Sequence, residues 1–132
     1  MNKPTLFLVE DETDTAALIR MIMEEEGYDV LHAADGRQAQ IQVDALPPPA
    51  LVLLDIGLPH VGGLELLVQM RKKSTWTSVP VVMLTAEAEQ TQICKAVVAG
   101  ASAYILKPFK RDALLAKLDR FRLPGMKQRS AS

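Results

Sequence analysis

The sequence contains one cysteine, Cys94, and one tryptophan, Trp76, among its 132 residues. A single cysteine excludes an internal disulfide and is typical of a protein from a reducing compartment, so we expect Cys94 to pack as a small hydrophobic side chain. No apolar run approaches the ~20 residues that a membrane-spanning helix needs, and no signal-peptide pattern opens the chain. We therefore expect a cytoplasmic protein without a membrane contact.

Neither sign of charge dominates the sequence. Fifteen lysines and arginines oppose 16 acidic residues, which gives a net charge of -1. This balance provides no overall positive field that would attract DNA. Five basic residues lie between positions 117 and 129, where they are best interpreted as a solvated surface. We expect no direct DNA binding, and a flexible tail over 123–132.

Apolar runs alternate with helical patterns along the whole chain. The predicted strands cover 5–9, 28–33, 50–55, 79–86 and 103–107, and the predicted helices cover 13–27, 35–46, 62–73, 87–100 and 110–121. Three strands are apolar almost throughout, as expected for strands buried on both faces of a parallel sheet. The pattern predicts one α/β domain over 1–122, with a doubly wound five-stranded parallel sheet and the second strand at an edge.

Helical spacing predicts which side chains face the core. Leu64, Leu67 and Val68 share one face of the third helix, and the predicted inward positions of the fourth helix are Ile93, Ala96, Val97 and Gly100. Val98 lies off this face and could form a contact patch with Tyr104. Trp76 falls between the third helix and the fourth strand, which predicts a position at the end of the sheet opposite to Asp55. His32 and His60 have no partners at metal-ligand spacing and are expected at the surface.

Polar side chains follow four of the strands at their carboxyl ends. Glu10 and Asp11 follow the first strand, and Asp55, Thr85 and Lys107 close the third, fourth and fifth. Because parallel strands end at the same edge of the sheet, we expect these side chains to meet there. The first turn, "VEDETD", has three consecutive acids and no glycine, so it is unsuited to a nucleotide phosphate.

The three carboxylates of Glu10, Asp11 and Asp55 predict a Mg²⁺ site. With Lys107 and Thr85 beside it, such a site would let one carboxylate attack a phosphoryl group while positive charge and a hydroxyl stabilise the oxygens. Each residue also has a purely structural interpretation. Asp55 could cap the third helix or pair with Lys107, and Thr85 could be an ordinary strand residue.

With these residues identified, the chain resembles the receiver domains of two-component response regulators over residues 5–121. The segments "VEDE", "LLDIGLP", "VVMLTA" and "AGASAYILKPF" occur in this order, each at a strand end. The resemblance implies a flavodoxin-like (βα)5 fold with strand order 2-1-3-4-5. It also implies that Asp55 accepts a phosphoryl group from a histidine kinase or phosphotransfer protein, and that Mg²⁺, or Mn²⁺ in its place, is bound by Glu10, Asp11, Asp55 and the backbone carbonyl of Gly57.

The same resemblance implies a switch. Thr85 and Lys107 would contact the phosphoryl oxygens, with Lys107–Pro108 as a cis peptide, and Tyr104 would turn inward when the Thr85 hydroxyl moves. The surface of the fourth helix, fifth strand and fifth helix would then change, so that it binds an unidentified downstream protein or forms a dimer on phosphorylation. Tyr104 could alternatively be an ordinary half-buried aromatic.

Four positions depart from the family pattern: Glu10, Gly62, and Ser102 and Ala103, which replace acids often seen before the tyrosine. Glu10 stands where aspartate is commoner, and Gly62 replaces a residue that would cap the third helix. Gly57 and Glu87 lie where the family tunes water access to the phosphoryl group.

The resulting hypothesis is a stand-alone receiver, not an independent enzyme. The alternative is a Mg²⁺-dependent phosphohydrolase with an aspartyl-phosphate, which Gly57 disfavours because such enzymes carry a second aspartate there, and a third is an interaction module that is never phosphorylated.

Overall fold

A single parallel sheet organises the computed structural model, which describes residues 3–86 and 91–122. Its strands are β1 (Thr5–Val9), β2 (Asp29–Ala33), β3 (Leu51–Asp55), β4 (Val81–Ala86) and β5 (Ala103–Lys107). They pair in the order β2-β1-β3-β4-β5, and all four pairings are parallel. The predicted doubly wound α/β fold, flavodoxin-like with strand order 2-1-3-4-5, is therefore confirmed, and so is the edge position of β2.

Five α-helices connect or follow the strands in the described residues. They are α1 (Thr13–Glu25), α2 (Gly36–Ala45), α3 (Gly63–Lys72), α4 (Ile93–Ala99) and α5 (Arg111–Leu118), with short 3₁₀ helices at Ser74–Trp76 and Asp119–Phe121. Gly27, with φ of +101°, follows the end of α1 and adopts a left-handed conformation that glycine tolerates best. The predicted start of the fourth helix at 87–90, including Glu87, and the predicted tail at 123–132 lie outside the described residues.

The sheet separates two apolar cores. Alternate strand residues face opposite sides: Phe7, Val52 and Leu54 pack with α2, α3 and α4, whereas Leu8 and Leu53 pack with α1 and α5. Because helices cover both faces, every position of β3 is buried, including Asp55 at its end. This two-sided burial is the reason why the strands read as continuous apolar runs rather than as alternating ones.

Several predicted inward positions of the helices were wrong. In α3 the apolar face that holds Leu64, Leu67 and Val68 is only partly buried: Leu67 packs in the core with Leu66 and Met70, whereas Val68 is 40% exposed. In α4 only Ala96 is buried, and Val97 is 57% exposed. Gly100 does not belong to the buried face, since it is the left-handed residue that ends the helix.

The prediction for Cys94 was also wrong, because its side chain is exposed. The physical reason is that α4 turns only Ala96 fully into the core, and Cys94 lies on the side of the helix that faces solvent. Val98 is 88% exposed, as predicted.

One arginine ties the end of α4 to α3. Arg71 donates from Nε to the Gly100 carbonyl and from a terminal guanidinium nitrogen to the Trp76 carbonyl, both at 3.0 Å. Trp76 is fully buried and meets the Phe7 ring edge-on, at 6.1 Å between centroids. Since the turn that carries Trp76 precedes β4, it lies toward the amino ends of the strands, opposite to Asp55.

No helix of the described residues combines the length and the apolarity needed to cross a bilayer.

An acidic pocket at the carboxyl edge of the sheet

The chain leaves β1 and β3 in opposite directions. After β1 it forms α1 on one face of the sheet, and after β3 it forms α3 on the other. This divergence opens a crevice at the carboxyl ends of the two neighbouring strands, where open α/β sheets bind their ligands. Glu10 directly follows β1 and Asp55 is the last residue of β3, so both carboxylates reach this crevice.

Three carboxylates gather there, and we refer to Glu10, Asp11 and Asp55 as the acidic pocket. One carboxylate oxygen from each lies within 4.8 Å of the others. Glu10 is fully buried and Asp55 is 3% exposed, whereas Asp11 is exposed. The predicted meeting of the three acids is thus found, with Asp11 on the side that solvent can reach.

Lys107 is the cation that faces the acidic pocket. Its ammonium nitrogen lies 2.7 Å from Oε1 of Glu10 and 3.0 Å from Oδ2 of Asp55. The peptide bond from Lys107 to Pro108 is cis, as the resemblance to receiver domains implied. The pairing of Asp55 with Lys107, which the sequence left open as a structural alternative, is therefore present in the structure.

The pocket holds more negative charge than one lysine neutralises. The pKa of Glu10 is raised to about 7, chiefly by burial and also by the neighbouring Asp55 carboxylate, and Lys107 only partly opposes these two effects. Burial by itself would lower the pKa of Lys107, but its contacts with Glu10 and Asp55 raise it above the ordinary value. A second cation is consequently favoured here, and three hard carboxylate donors match the preference of Mg²⁺.

Thr85 is completely buried, next to the pocket on β4. Its hydroxyl donates to the Ala86 carbonyl at 3.2 Å, so in this conformation the group is engaged with the adjoining main chain. Tyr104, on β5, is 41% exposed, and the Lys117 ammonium lies 5.3 Å from the centre of its ring. The aromatic ring therefore faces outward in this conformation.

The alternative interpretation of Asp55 as a helix cap is wrong. The residue that caps α3 is Gly62, and no side chain donates or accepts at this cap. Asp55 instead accepts from the backbone N–H of Gly57 at 3.0 Å. Gly57 thus lies beside the carboxylate, in the loop whose carbonyl is the expected fourth metal ligand.

Two residues beside the pocket, Gly63 and His32, were not predicted from the sequence to contribute to the site. At Gly63, an added Cβ would lie 2.3 Å from the Asp55 carbonyl oxygen, so the start of α3 can approach the strand end only without a side chain.

His32, expected at the surface, is half-buried, with its ring Nε2 2.8 Å from the Glu10 carbonyl oxygen. The strand register could have indicated this contact, because β2 lies beside β1 and His32 pairs with Leu8, two residues before Glu10. His60 is exposed, as expected.

The chain belongs to the response regulator receiver domain family, whose sequence profile matches residues 6–119. As a receiver domain it is a signalling phosphoacceptor rather than an enzyme with a substrate of its own, which removes the phosphohydrolase alternative. Among curated proteins it is 40% identical over 113 residues to the transcriptional regulatory protein TcrA of Mycobacterium tuberculosis. The match covers 86% of this chain but only 44% of that relative, so the chain spans less than half of its length.

Solved receiver structures share the fold. The receiver domain of sensor histidine kinase PA1611 from Pseudomonas aeruginosa, solved with magnesium coordinated in its active site cleft, has a TM-score of 0.81 and 31% identity. The alignment covers 91% of this chain and 98% of that one. The chemotaxis response regulator CheY4 of Vibrio cholerae has a TM-score of 0.84 and 26% identity, with 92% and 100% covered.

Proposed function

We propose that this chain receives a phosphoryl group on Asp55 from a histidine kinase or phosphotransfer protein, in a reaction that requires Mg²⁺. The observation that carries the proposal is the contact of Lys107 with both Asp55 and Glu10, at the centre of a cluster with excess negative charge. Glu10, Asp11, Asp55 and the Gly57 carbonyl are the proposed metal ligands. The ion, when bound, supplies the positive charge that allows an anionic phosphoryl group to approach the carboxylates.

In the proposed reaction an oxygen of Asp55 attacks the phosphorus of a phosphohistidine. The new O–P bond forms as the N–P bond breaks, and the imidazole nitrogen leaves with the electron pair. Asp55 is suited to the role of nucleophile because its position at the end of β3 is fixed by the Gly57 N–H and by the close approach of Gly63. Lys107 transfers its contact from the carboxylate to the phosphoryl oxygens and stabilises their charge.

The proposed switch begins at Thr85. A phosphoryl oxygen on Asp55 competes with the Ala86 carbonyl for the Thr85 hydroxyl and is the stronger acceptor because it is charged. When the hydroxyl turns toward it, Tyr104 moves from its exposed position into the space that Thr85 leaves. The surface formed by α4, β5 and α5 changes as a result, since Tyr104 lies on β5 and its ring contacts Lys117 of α5.

We further propose that the domain occupies residues 1–122 and that it acts in the cytoplasm as a stand-alone receiver. Its output would be association with a downstream protein or dimer formation on phosphorylation, without direct DNA contact. The likeness to CheY4, which the alignment covers over its whole length, supports this arrangement. The longer relative TcrA is the argument for an additional output segment, and the size of the native gene product distinguishes the two.

The proposal is tested with a small-molecule phosphodonor such as acetyl phosphate. With Mg²⁺ present we expect the intact protein to gain the mass of one phosphoryl group, and we expect this gain to disappear in Asp55→Asn or on addition of EDTA. Asp29→Asn, an exposed acid on β2, is the matched control and should be phosphorylated like the wild type. A phosphoryl group that persists in Asp55→Asn would overturn the assignment.

A further inference from the structure

The imidazole of His32 makes a contact with the main chain of the acidic pocket. His32 lies on the edge strand β2, and its Nε2 is 2.8 Å from the carbonyl oxygen of Glu10. A carbonyl can only accept a hydrogen bond, so Nε2 must carry the proton and donate it. The ring is half-buried, and the donor is thus directed at one particular atom rather than at bulk water.

This contact extends the pairing of β1 and β2 beyond the last residues of the ladder. The regular register ends at Val9, opposite Ala33. The N–H of Glu10 still donates to the Ala33 carbonyl at 3.2 Å, and the imidazole of His32 takes the place of a strand partner for the Glu10 carbonyl. Both main-chain groups of Glu10 are therefore held by β2, at the point where the chain turns away from the sheet toward α1.

A fixed main chain matters most at a position occupied by glutamate. Its side chain has one more rotatable bond than that of aspartate, so its carboxylate keeps one orientation only if several contacts define it. The N–H of Glu12 donates to Oε2 at 3.2 Å, and Lys107 lies 2.7 Å from Oε1. His32 supplies the remaining constraint, because it sets the main-chain position from which this side chain enters the pocket.

We propose that His32 is a positioning residue for the metal site, one that orients Glu10 for the ion through its main-chain carbonyl. This inference rests on the proposed function, since it concerns the same Mg²⁺ site. Groups that orient a metal ligand without touching the metal typically change its affinity by 10- to 100-fold. Since His32 acts on the main chain rather than on the ligand oxygens, we expect His32→Ala to weaken Mg²⁺ binding by roughly 3- to 10-fold.

The chemical requirement is an N–H donor at the position of Nε2. His32→Gln retains an N–H donor of similar reach, whereas His32→Phe keeps the ring and removes the donor. We therefore expect His32→Gln to recover most of the wild-type affinity and His32→Phe to resemble His32→Ala. Leu31→Ala is the matched control, because Leu31 is the preceding residue of the same edge strand and is 41% exposed.

The experiment titrates Mg²⁺ into the full chain and its variants by calorimetry at one fixed pH, with the thermal midpoint in EDTA measured in parallel. The inference predicts an affinity loss in His32→Ala and His32→Phe that exceeds the loss in Leu31→Ala and is reversed in His32→Gln. If His32→Ala does not fold, the comparison of His32→Phe with His32→Gln decides the question. Equal affinity in all variants, or equal weakening in His32→Gln and His32→Phe, overturns the inference and leaves the proposed function intact. A wild-type chain that binds no Mg²⁺ overturns both.

Discussion

The ammonium nitrogen of Lys107 lies 3.0 Å from Oδ2 of Asp55, although 52 positions separate the two residues in the sequence. The same nitrogen contacts Glu10, so one flexible cation faces two carboxylates that the fold keeps out of water. Lysine suits this arrangement because its charge sits at the end of a movable chain and can follow a phosphoryl group as it arrives. In the metal-free state Lys107 thus offsets part of the buried negative charge, and in the proposed reaction it would stabilise the incoming phosphoryl group.

Replacing Lys107 should expose the imbalance of charge in the acidic pocket. We expect Lys107→Met to lower the free energy of unfolding in EDTA by about 2 kcal/mol, because two buried carboxylates lose their counter-charge; the partial exposure of the lysine keeps the effect below that of a fully buried pair. Mg²⁺ should then raise the thermal midpoint more in the variant than in the wild type. Lys110→Met is the control, since Lys110 is exposed three residues further on. Equal behaviour of the two variants would contradict this account.

Gly63 and Gly62 offer a neighbouring pair with opposite expectations. An alanine Cβ at 63 would meet the Asp55 carbonyl oxygen at 2.3 Å, whereas at 62 it would meet nothing within 4 Å. We expect Gly63→Ala to cost about 1–3 kcal/mol in urea denaturation and to reduce phosphorylation of Asp55, because the helix start or the strand end must shift. Gly62→Ala should change both measurements little. A tolerant Gly63→Ala variant would show that the approach of α3 to β3 is not a constraint.

Thr85 should affect chemistry more than stability. Among the described residues its hydroxyl donates to the adjoining Ala86 carbonyl alone, so we expect Thr85→Val to change the free energy of unfolding by less than about 1 kcal/mol. The rate of phosphorylation by acetyl phosphate should fall roughly tenfold, because a donor to the phosphoryl oxygens is lost. Thr85→Ser keeps the hydroxyl and should react at nearly the wild-type rate. If valine and serine behave alike, Thr85 has no part in the reaction.

The exposed position of Cys94 on α4 leads to a direct chemical measurement. We expect one equivalent of Ellman's reagent to react with the native protein, and Cys94→Ser to leave the thermal midpoint nearly unchanged. A thiol that reacts only after denaturant is added would restore the interpretation of Cys94 as a packed residue.

Trp76 should report on unfolding but not on the metal. Its ring is fully buried against Phe7, toward the end of the sheet opposite to Asp55, so we expect its fluorescence to change little when Mg²⁺ is added and strongly when the protein unfolds. Trp76→Ala should cost about 3–5 kcal/mol, and Trp76→Phe considerably less. Strong quenching by Mg²⁺ would show that the two ends of the sheet are coupled.

The parallel sheet and the convergence of the site residues at its carboxyl edge could be predicted, because both follow from the direction of the strands. Leu53 and Leu54 face opposite cores, so β3 had to be apolar throughout, and a parallel sheet brings the residue after each strand to one edge. Strand direction thus predicts that Glu10, Asp55 and Lys107 meet, although they lie far apart in the sequence. This prediction required no knowledge of side-chain contacts.

The inward faces of the helices could not be predicted in the same way. Val68 and Leu67 are adjacent and equally apolar, and the choice between them depends on how α3 is rotated by its contacts with the sheet and α4. For His32 and the Thr85 hydroxyl, the decisive partner is a main-chain carbonyl, of Glu10 and Ala86 respectively. Every residue carries such a carbonyl, so the sequence gives no sign of which one a polar side chain will choose.

Little buried apolar surface anchors α4 to the rest of the domain. Of its seven residues only Ala96 is buried, and a methyl group of this size contributes no more than about 1 kcal/mol, whereas α3 anchors itself with Leu66, Leu67 and Met70. Besides Ala96, the hydrogen bond from Arg71 to the Gly100 carbonyl holds the end of this helix. Because so little apolar surface anchors α4, it is the element that we expect to reorient in the proposed switch, while α3 stays in place.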